Sequence, residues 1–441
     1  MTLSLPTVLL LLLFLFYDID AFGTKSPSPL STLTLTPSST VVLKNSNNNN
    51  NNNNNNNDID DDDKNVDRGL NLLGVASKFV PQGNIVKVAK FGWKFIWLRF
   101  MTELAPQDNT GSYKRPSYGF DNCIGDVNFP IESGRYHIYV GNPCPWCHRV
   151  RLVVNTLQLQ SVLHGVTVLI DNPERASRGG WIFDDNGNNS HHSSSKNDLS
   201  PPKFQDLREL YDHLTPGGVF TGRCTAPLLV DWETKRIVSN ESKDIVRMLP
   251  LLLQAKNREN SEQEQQENNK RNNIALDPRI VTSDLQSTVD ERNEWIYKLI
   301  NNGVYRCGFA TTQIAYNEAS QDVVMGLSKI EEILSSKEGQ QKYMCSNTQF
   351  TESDVMLLPT LLRFDGVYSS LFKAGGIPHI RLECDYPYTF QYMKRCWNTI
   401  PGVKESIDID DACQSYYKQL FPLNPGAIVP SFTPQVLRLE E

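Results

Sequence analysis

The chain has 441 residues, 43 Lys and Arg against 50 Asp and Glu, and a formal net charge of -7. That length exceeds one average domain and predicts two domains with additional segments. An acidic balance without a basic block speaks against a nucleic-acid partner. Nine cysteines spread over such a length are too few for a disulfide-built scaffold and point to a reducing compartment with one or two chemically selected thiols.

In chain order, residues 5–17 form an apolar run too short to span a bilayer as a helix, and Ala21 supplies a small residue at a cleavage point. Residues 1–21 therefore read as a signal peptide, although the positive n-region is missing. Ala21-Phe22 leads into a Ser/Thr/Pro-rich stretch, 23–40, whose one charged residue is Lys25. This resembles the bipartite plastid signals of algae with secondary plastids and implies a plastid stroma; ordinary secretion is the alternative. Three stretches are low in complexity and predict no fixed structure: 47–57 with the acidic 58–63, 184–198, and 254–273. His191 and His192 fall in the second and read as part of a polar loop. The resulting division is a transit-like and low-complexity segment at 22–64, an N-terminal extension at 65–130, an α/β domain at 131–250, an insertion at 251–277, a helical domain at 278–423 and a tail at 424–441.

Within the extension, Lys87, Lys90 and Lys94 share one face of a helix predicted over 85–104, while Val86, Val88, Ala89, Phe91, Trp93, Ile96, Trp97 and Phe100 cover most of the rest. Such a pattern fits peripheral contact with a membrane interface or a helix packed on its own domain.

The α/β domain opens on alternating Tyr136, Ile138 and Val140, a strand, followed by Gly141-Asn142-Pro143-Cys144-Pro145-Trp146-Cys147-His148-Arg149 and a helix. Pro145 suits a first helical turn, where its missing N–H is not needed. The sulfur of Cys144 thus meets the positive end of a helix, with Arg149 and Arg151 near the first turn, an arrangement that favours thiolate over thiol. Cys144, Cys147 and His148 alone cannot complete a tetrahedral zinc site, so no metal is predicted. Further strands at 162–170 and 228–231 and a helix at 242–249 complete the α/β pattern. The remainder is helical, over 281–301, 312–336, 353–364 and 386–398, with Thr351 to Asp354 marking a capping box.

The strings Gly134-Arg135-Tyr136-His137-Ile138-Tyr139-Val140, Cys144-Pro145-Trp146, His148-Arg149, Gly180-Trp181-Ile182-Phe183, Ser239-Asn240-Glu241-Ser242, Asn302-Gly303-Val304-Tyr305 and Leu362-Arg363-Phe364-Asp365 together resemble the glutathionyl-hydroquinone reductases, or Xi-class glutathione transferases. The resemblance spans roughly 115–432 apart from the insertions, and implies a thioredoxin-like α/β domain followed by an all-α glutathione transferase domain, glutathione as co-substrate, and a homodimer. It implies that Cys144 attacks the sulfur of a glutathionyl-hydroquinone to give a cysteine–glutathione mixed disulfide, which a second glutathione resolves. Trp181, Arg223, Ala226, Pro227, Glu241 and Ser242 match the glutathione site, with a cis peptide expected before Pro227. Tyr305 and one of Tyr416 or Tyr417 match the aromatic-substrate tyrosines, expected as hydroxyl donors.

Two departures matter. Cys147 stands where the family carries alanine, either inert and packed inside the helix or a resolving thiol that opens a dithiol, glutaredoxin-like route or a redox off-switch, and residues 408–415 lack the family's histidine pattern, leaving the choice between Tyr416 and Tyr417 open. A non-catalytic ligand-binding module is the remaining alternative.

Overall fold

The active-site strand β1 (Tyr136–Gly141) lies in the middle of a five-stranded sheet. The computed structural model describes residues 81–116, 119–184, 203–259, 273–277, 281–335, 341–376 and 378–440, all within the unit spanning 72–441. The signal and transit segments, the Asn/Asp-rich stretch, His191 and His192 lie outside the described residues.

Strand order is β3 (Trp181–Ile182), β2 (Gly165–Asp171), β1, β4 (Leu228–Asp231), β5 (Arg236–Ser239). β1 and β2 run parallel and the other pairs antiparallel, with Ile138 opposite Val166 on one side and Leu229 on the other. Alternation in β1 does not mark a half-exposed strand, because all six residues are buried. Tyr136, Ile138 and Val140 face helices α2 (Pro145–Thr156) and α4 (Ser242–Met248). Tyr139 faces α3 (Leu207–Leu214), with Leu210 and Tyr211 in the second core. A sheet covered on both faces has no solvent side for polar alternation to report. His137 is accommodated by Thr167 Oγ1 at 2.8 Å and His164 Nδ1 at 3.0 Å.

The expected strand starting at 162 begins three residues later, since Val162 closes a short 3-10 turn after Gln158, which sits in the left-handed region. Helix α5 (Leu253–Glu259) carries regular structure into the second insertion. The two-residue strands β6 (Ile274–Ala275) and β7 (Phe350–Thr351) pair in parallel and tie that segment to the helical domain.

That domain comprises α6 (Ser283–Trp295), α7 (Gly303–Gly308), α8 (Gln313–Ser335), α9 (Glu352–Leu361), α10 (Leu382–Asp385), α11 (Pro387–Thr399) and α12 (Ile409–Gln419). The capping box at α9 is present. Buried Asp354 also accepts from Met344 N–H and Tyr392 O–H, both at 2.8 Å. Among the described residues two π-helical turns interrupt the α-pattern: Ile296–Asn301, whose Tyr297 and Asn301 line the cleft described below, and Phe364–Tyr368, whose Tyr368 joins the tyrosine cluster.

The N-terminal extension supplies α1 (Gln82–Leu104), whose one buried residue is Met101. It is held at its C-terminal end, where Trp97 Nε1 donates to Pro422 O at 3.1 Å and Phe100 meets Phe421 edge-on.

Candidate active site

Cys144 is the N-cap of α2: its backbone is extended, Pro145 occupies the first helical position, and the Cys147 N–H points at its sulfur, 3.4 Å away. The thiol is half-buried. Burial works against ionisation, yet the S–H and N–H of Cys147, the N–H of Trp146 and the charge of Arg363 outweigh it and lower the Cys144 pKa. Cys147 moves the opposite way: fully buried and next to the Cys144 sulfur, its pKa lies well above the ordinary thiol value. Of the two thiols, Cys144 is the more readily ionised and Cys147 the donor.

Arg363 joins the arginines expected here, of which Arg149 also interacts with the Cys144 charge. Arg151 donates to Asn142 Oδ1 at 2.8 Å. Arg149 reaches Asn301 Oδ1 at 2.6 Å and Met356 O at 3.2 Å. Arg363 arrives from the far domain and is wholly buried. It donates to the carbonyls of Asn142, Pro143 and Pro359 at 2.9–3.0 Å and to His148 Nδ1 at 3.0 Å. Since Arg363 can only donate, His148 Nδ1 is an acceptor and its proton sits on Nε2, which donates to Ser406 Oγ at 2.8 Å; Ser406 in turn donates to Val403 O. Burial, with Arg363 and Arg151 nearby, drops the His148 pKa well below the usual imidazole range, so the ring is a neutral brace. None of the carbonyls or the imidazole carries a charge to answer that of Arg363, which acts on the Cys144 sulfur and favours its ionisation.

Opposite the thiol, Tyr305, Tyr368 and Tyr416 form a hydroxyl cluster. Tyr416 Oη lies 2.6 Å from Tyr305 Oη and 3.1 Å from Tyr368 Oη. All three phenols have raised pKa values, first from burial; for Tyr305 the negative charge on Cys144 contributes too, which places that ring near the sulfur. The cluster is therefore protonated and able to donate. Tyr417 points elsewhere, donating to Gly366 O at 2.9 Å and meeting Ser370 Oγ at 2.7 Å. Of the two, Tyr416 is the one whose hydroxyl joins the cluster. Tyr368 was not among the sequence candidates. Rings of Tyr113, Trp146, Phe309 and Phe372 pack around Tyr305 with centroids 5.6–6.4 Å away.

On the other side of Trp146 a cleft of about 610 Å³ is lined by Arg115, Arg149, Glu241, Lys243, Arg247, Tyr297 and Asn301, among others. Trp146 is sandwiched between the guanidinium groups of Arg115 and Arg149, 3.7 and 4.3 Å from its ring centroid. Arg115 also pairs with Glu241 at 3.4 Å. Glu241 is the N-cap of α4 and Ser242 its first residue, the latter fully buried with Oγ 3.2 Å from Glu241 Oε1. The Ala226–Pro227 peptide is cis, and Ala226 O lies 3.8 Å from Cys144 Sγ. Trp181 lies against Gly141 so closely that any side chain at 141 would collide with its ring. Arg223 stands apart: its exposed guanidinium donates to Glu103 O and Leu104 O at 3.2 and 3.5 Å, capping the end of α1.

A thioredoxin-like sheet that presents a helix-capping cysteine to a helical domain defines the glutathione transferase class. Residues 143–251 match the Glutathione S-transferase, N-terminal domain family and 313–395 the Glutathione S-transferase, C-terminal domain family. The chain is 33% identical over 328 residues to glutathionyl-hydroquinone reductase YqjG of Escherichia coli, covering 72% of this chain and 88% of the relative. It is 31% identical over 307 residues to glutathionyl-hydroquinone reductase PcpF of Sphingobium chlorophenolicum, covering 69% and 85%. Among solved structures, the glutathione-S-transferase Xi from Phanerochaete chrysosporium superposes with a TM-score of 0.59 at 31% identity, over 72% of this chain and 96% of that one. The glutathione-bound structure of YqjG superposes with a TM-score of 0.57 at 32% identity, over 71% and 92%. The chain belongs to the glutathionyl-hydroquinone reductase family, the Xi class of glutathione transferases.

Proposed function

We propose that this protein is a glutathione-dependent reductase that removes glutathione from glutathionyl-hydroquinones. The observation that carries the reading is the juxtaposition of a lowered-pKa cysteine with three protonated phenols, because this reaction needs both. Attack by thiolate on the sulfur of an aryl thioether would expel an aryl carbanion, a prohibitively poor leaving group. If a phenol O–H proton moves to the sulfur-bearing ring carbon, the substrate becomes a ketone, and attack expels an enolate instead. The Cys144 sulfur then bonds to the glutathione sulfur, the carbon–sulfur bond breaks, and its electron pair passes into the enolate, whose oxygen takes a proton to give the hydroquinone. In this reading Tyr305, Tyr416 and Tyr368 donate to that oxygen, which their shared hydroxyl cluster beside the thiol supports. A glutathione thiolate then attacks the mixed disulfide, releasing oxidised glutathione and restoring Cys144.

The charged cleft suits the peptide. Glu241 is the acceptor for the γ-glutamyl ammonium, Ser242 faces its carboxylate, the chain beside cis-Pro227 pairs with the backbone, and Trp181 flanks it. Arg115 releases Glu241 as the ammonium arrives and, with Lys243 and Arg247, offers charge to the carboxylates. Steady-state release of hydroquinone from glutathionyl-menadiol in the presence of glutathione tests the reading: the native chain turns over and Cys144→Ser does not. Hydroquinone release by Cys144→Ser at the native rate would remove the basis for the mechanism.

A second reading has its own observation. The Cys147 S–H that donates to Cys144 is placed to resolve a Cys144–glutathione disulfide internally, as in a dithiol deglutathionylase. Its buried, high-pKa state favours the donor role. The signal-like 1–21 and Ser/Thr-rich 23–40 support plastid placement, and the family resemblance read from the sequence implies a homodimer; a fluorescent fusion and a sedimentation mass check the two.

A further inference from the structure

We propose that α1 docks the protein on an anionic bilayer surface, lying in the headgroup plane with its aromatic face in the acyl boundary. The geometry separates the two readings open at the sequence level. Lys87, Lys94 and Met101 recur at seven-residue intervals, two helical turns each, so the lysine stripe lies on the same side of the helix as the residue that anchors it to the body. The apolar residues of the earlier turns, Val88 and Phe91 foremost, consequently point away from the domain. Phe91 is 76% exposed and Val88 71%, and Trp93, Phe95, Ile96 and Phe100 are exposed as well. Contact with the body is concentrated in the last turns, through Met101, the Trp97–Pro422 hydrogen bond and Arg223 at the helix end.

The charge pattern selects the partner. No acidic residue occurs in α1 before Glu103, whereas Lys87, Lys90, Lys94 and Arg99 do. A helix with its apolar arc in the acyl boundary holds such lysines on the water side, where long stems lift the ammonium groups to the phosphate level. No helix among the described residues is long and apolar enough to cross a membrane, so the contact is interfacial. The chain directly after α1 carries Tyr113 to the Tyr305 ring and Arg115 to Trp146, joining the docking helix to the substrate wall by one short segment.

Flotation of the full chain with phosphatidylcholine vesicles, with and without phosphatidylglycerol, tests this. The native chain is expected to float with the anionic vesicles and to be released by high salt. Replacing Lys87, Lys90 and Lys94 together with Gln should weaken partitioning on the order of a hundredfold, from about fivefold per charge. Phe91→Ser with Trp93→Ser should abolish it while leaving turnover of a soluble conjugate unchanged, which keeps the docking claim separate from the catalytic one. Failure of the native chain to float at low salt would overturn the proposal. So would a fall from dimer to monomer in the Phe91→Ser, Trp93→Ser variant without any vesicle binding by the native chain, which would assign the face to a second copy.

Discussion

Replacing Cys147 with alanine removes one of the donors that hold the Cys144 thiolate and leaves the others in place. The backbone N–H of residue 147, 3.4 Å from Cys144 Sγ, survives the change, as do the Trp146 N–H and the Arg363 charge; only the S–H is lost. A hydrogen bond to a charged group is worth about 1.5–3 kcal/mol, and a thiol is a weak donor, so about 1 kcal/mol is the scale. At 1.36 kcal/mol per pH unit, the Cys144 pKa should rise by about 0.7 unit in Cys147→Ala. Cys147→Ser, with a stronger donor in nearly the same volume, should keep it near or below the native value. Because Cys147 is fully buried, alanine should also cost roughly 1 kcal/mol of stability from the lost packing. The assay is the rate of Cys144 alkylation by iodoacetamide between pH 4 and 9, alongside hydroquinone release. With the donor role, both variants retain turnover within about tenfold at saturating pH, since a pKa shift of this size changes only the thiolate fraction. An unchanged pKa in Cys147→Ala refutes the donor role, and loss of turnover in both variants at every pH makes Cys147 the resolving thiol.

Three further outcomes follow from the site and its surroundings. Tyr416→Phe removes the hydroxyl that bridges Tyr305 and Tyr368 and should lower kcat on the order of a hundredfold, whereas Tyr417→Phe, which breaks bonds only to Gly366 and Ser370, should leave kcat near native; equal effects in the two would show that the cluster does not act on substrate. Gly141→Ala drives a methyl into the Trp181 ring and should raise KM for glutathione more than it lowers kcat; an unaltered KM would place Trp181 outside the peptide site. Asp171 has its pKa raised to about 6, first by burial, while Ser415 O–H opposes the shift. A carboxyl raised in the folded state stabilises most below its unfolded pKa, and that contribution disappears as pH rises through about 6. Asp171→Asn should therefore show a gain in chemical-denaturation stability that grows from pH 4 to 6 and levels off near 2–3 kcal/mol above it; a pH-independent difference would contradict the assignment.

What the sequence revealed and what it concealed divides along chain distance. Cys144, its capping geometry and the strand before it are contiguous, so local pattern was sufficient. Glu241 and Ser242 at the start of α4 were readable for the same reason. Arg363 and Tyr368 were not, because their roles exist only once α9 and the π-turn after it pack on the active-site loop, more than 200 residues away in sequence. Arg149 interacts with the Cys144 charge as its proximity suggests while bonded to Asn301, whereas Arg151, turned elsewhere by the roughly 100° rotation between successive helical positions, is held by Asn142 and interacts with Cys147 instead. The same rotation explains why sequence alone left Tyr416 and Tyr417 undecided. It took the pinning of α12, by Asn142 to Asp408 O and Asp411 and by Ser415 to Asp171, to turn Tyr416 inward. Arg223 matched the family pattern yet meets the end of α1, a contact that depends on where the N-terminal extension lies.

The most direct test of the central claim is a single turnover. Native protein is mixed with an equimolar amount of glutathionyl-menadiol without free glutathione, quenched in acid, and the Cys144 peptide is weighed by mass spectrometry. The expected products are one glutathionyl group on Cys144, one equivalent of free hydroquinone, and a peptide that returns to its unmodified mass when glutathione is added. Hydroquinone released while Cys144 stays unmodified and unlinked to Cys147 would contradict it.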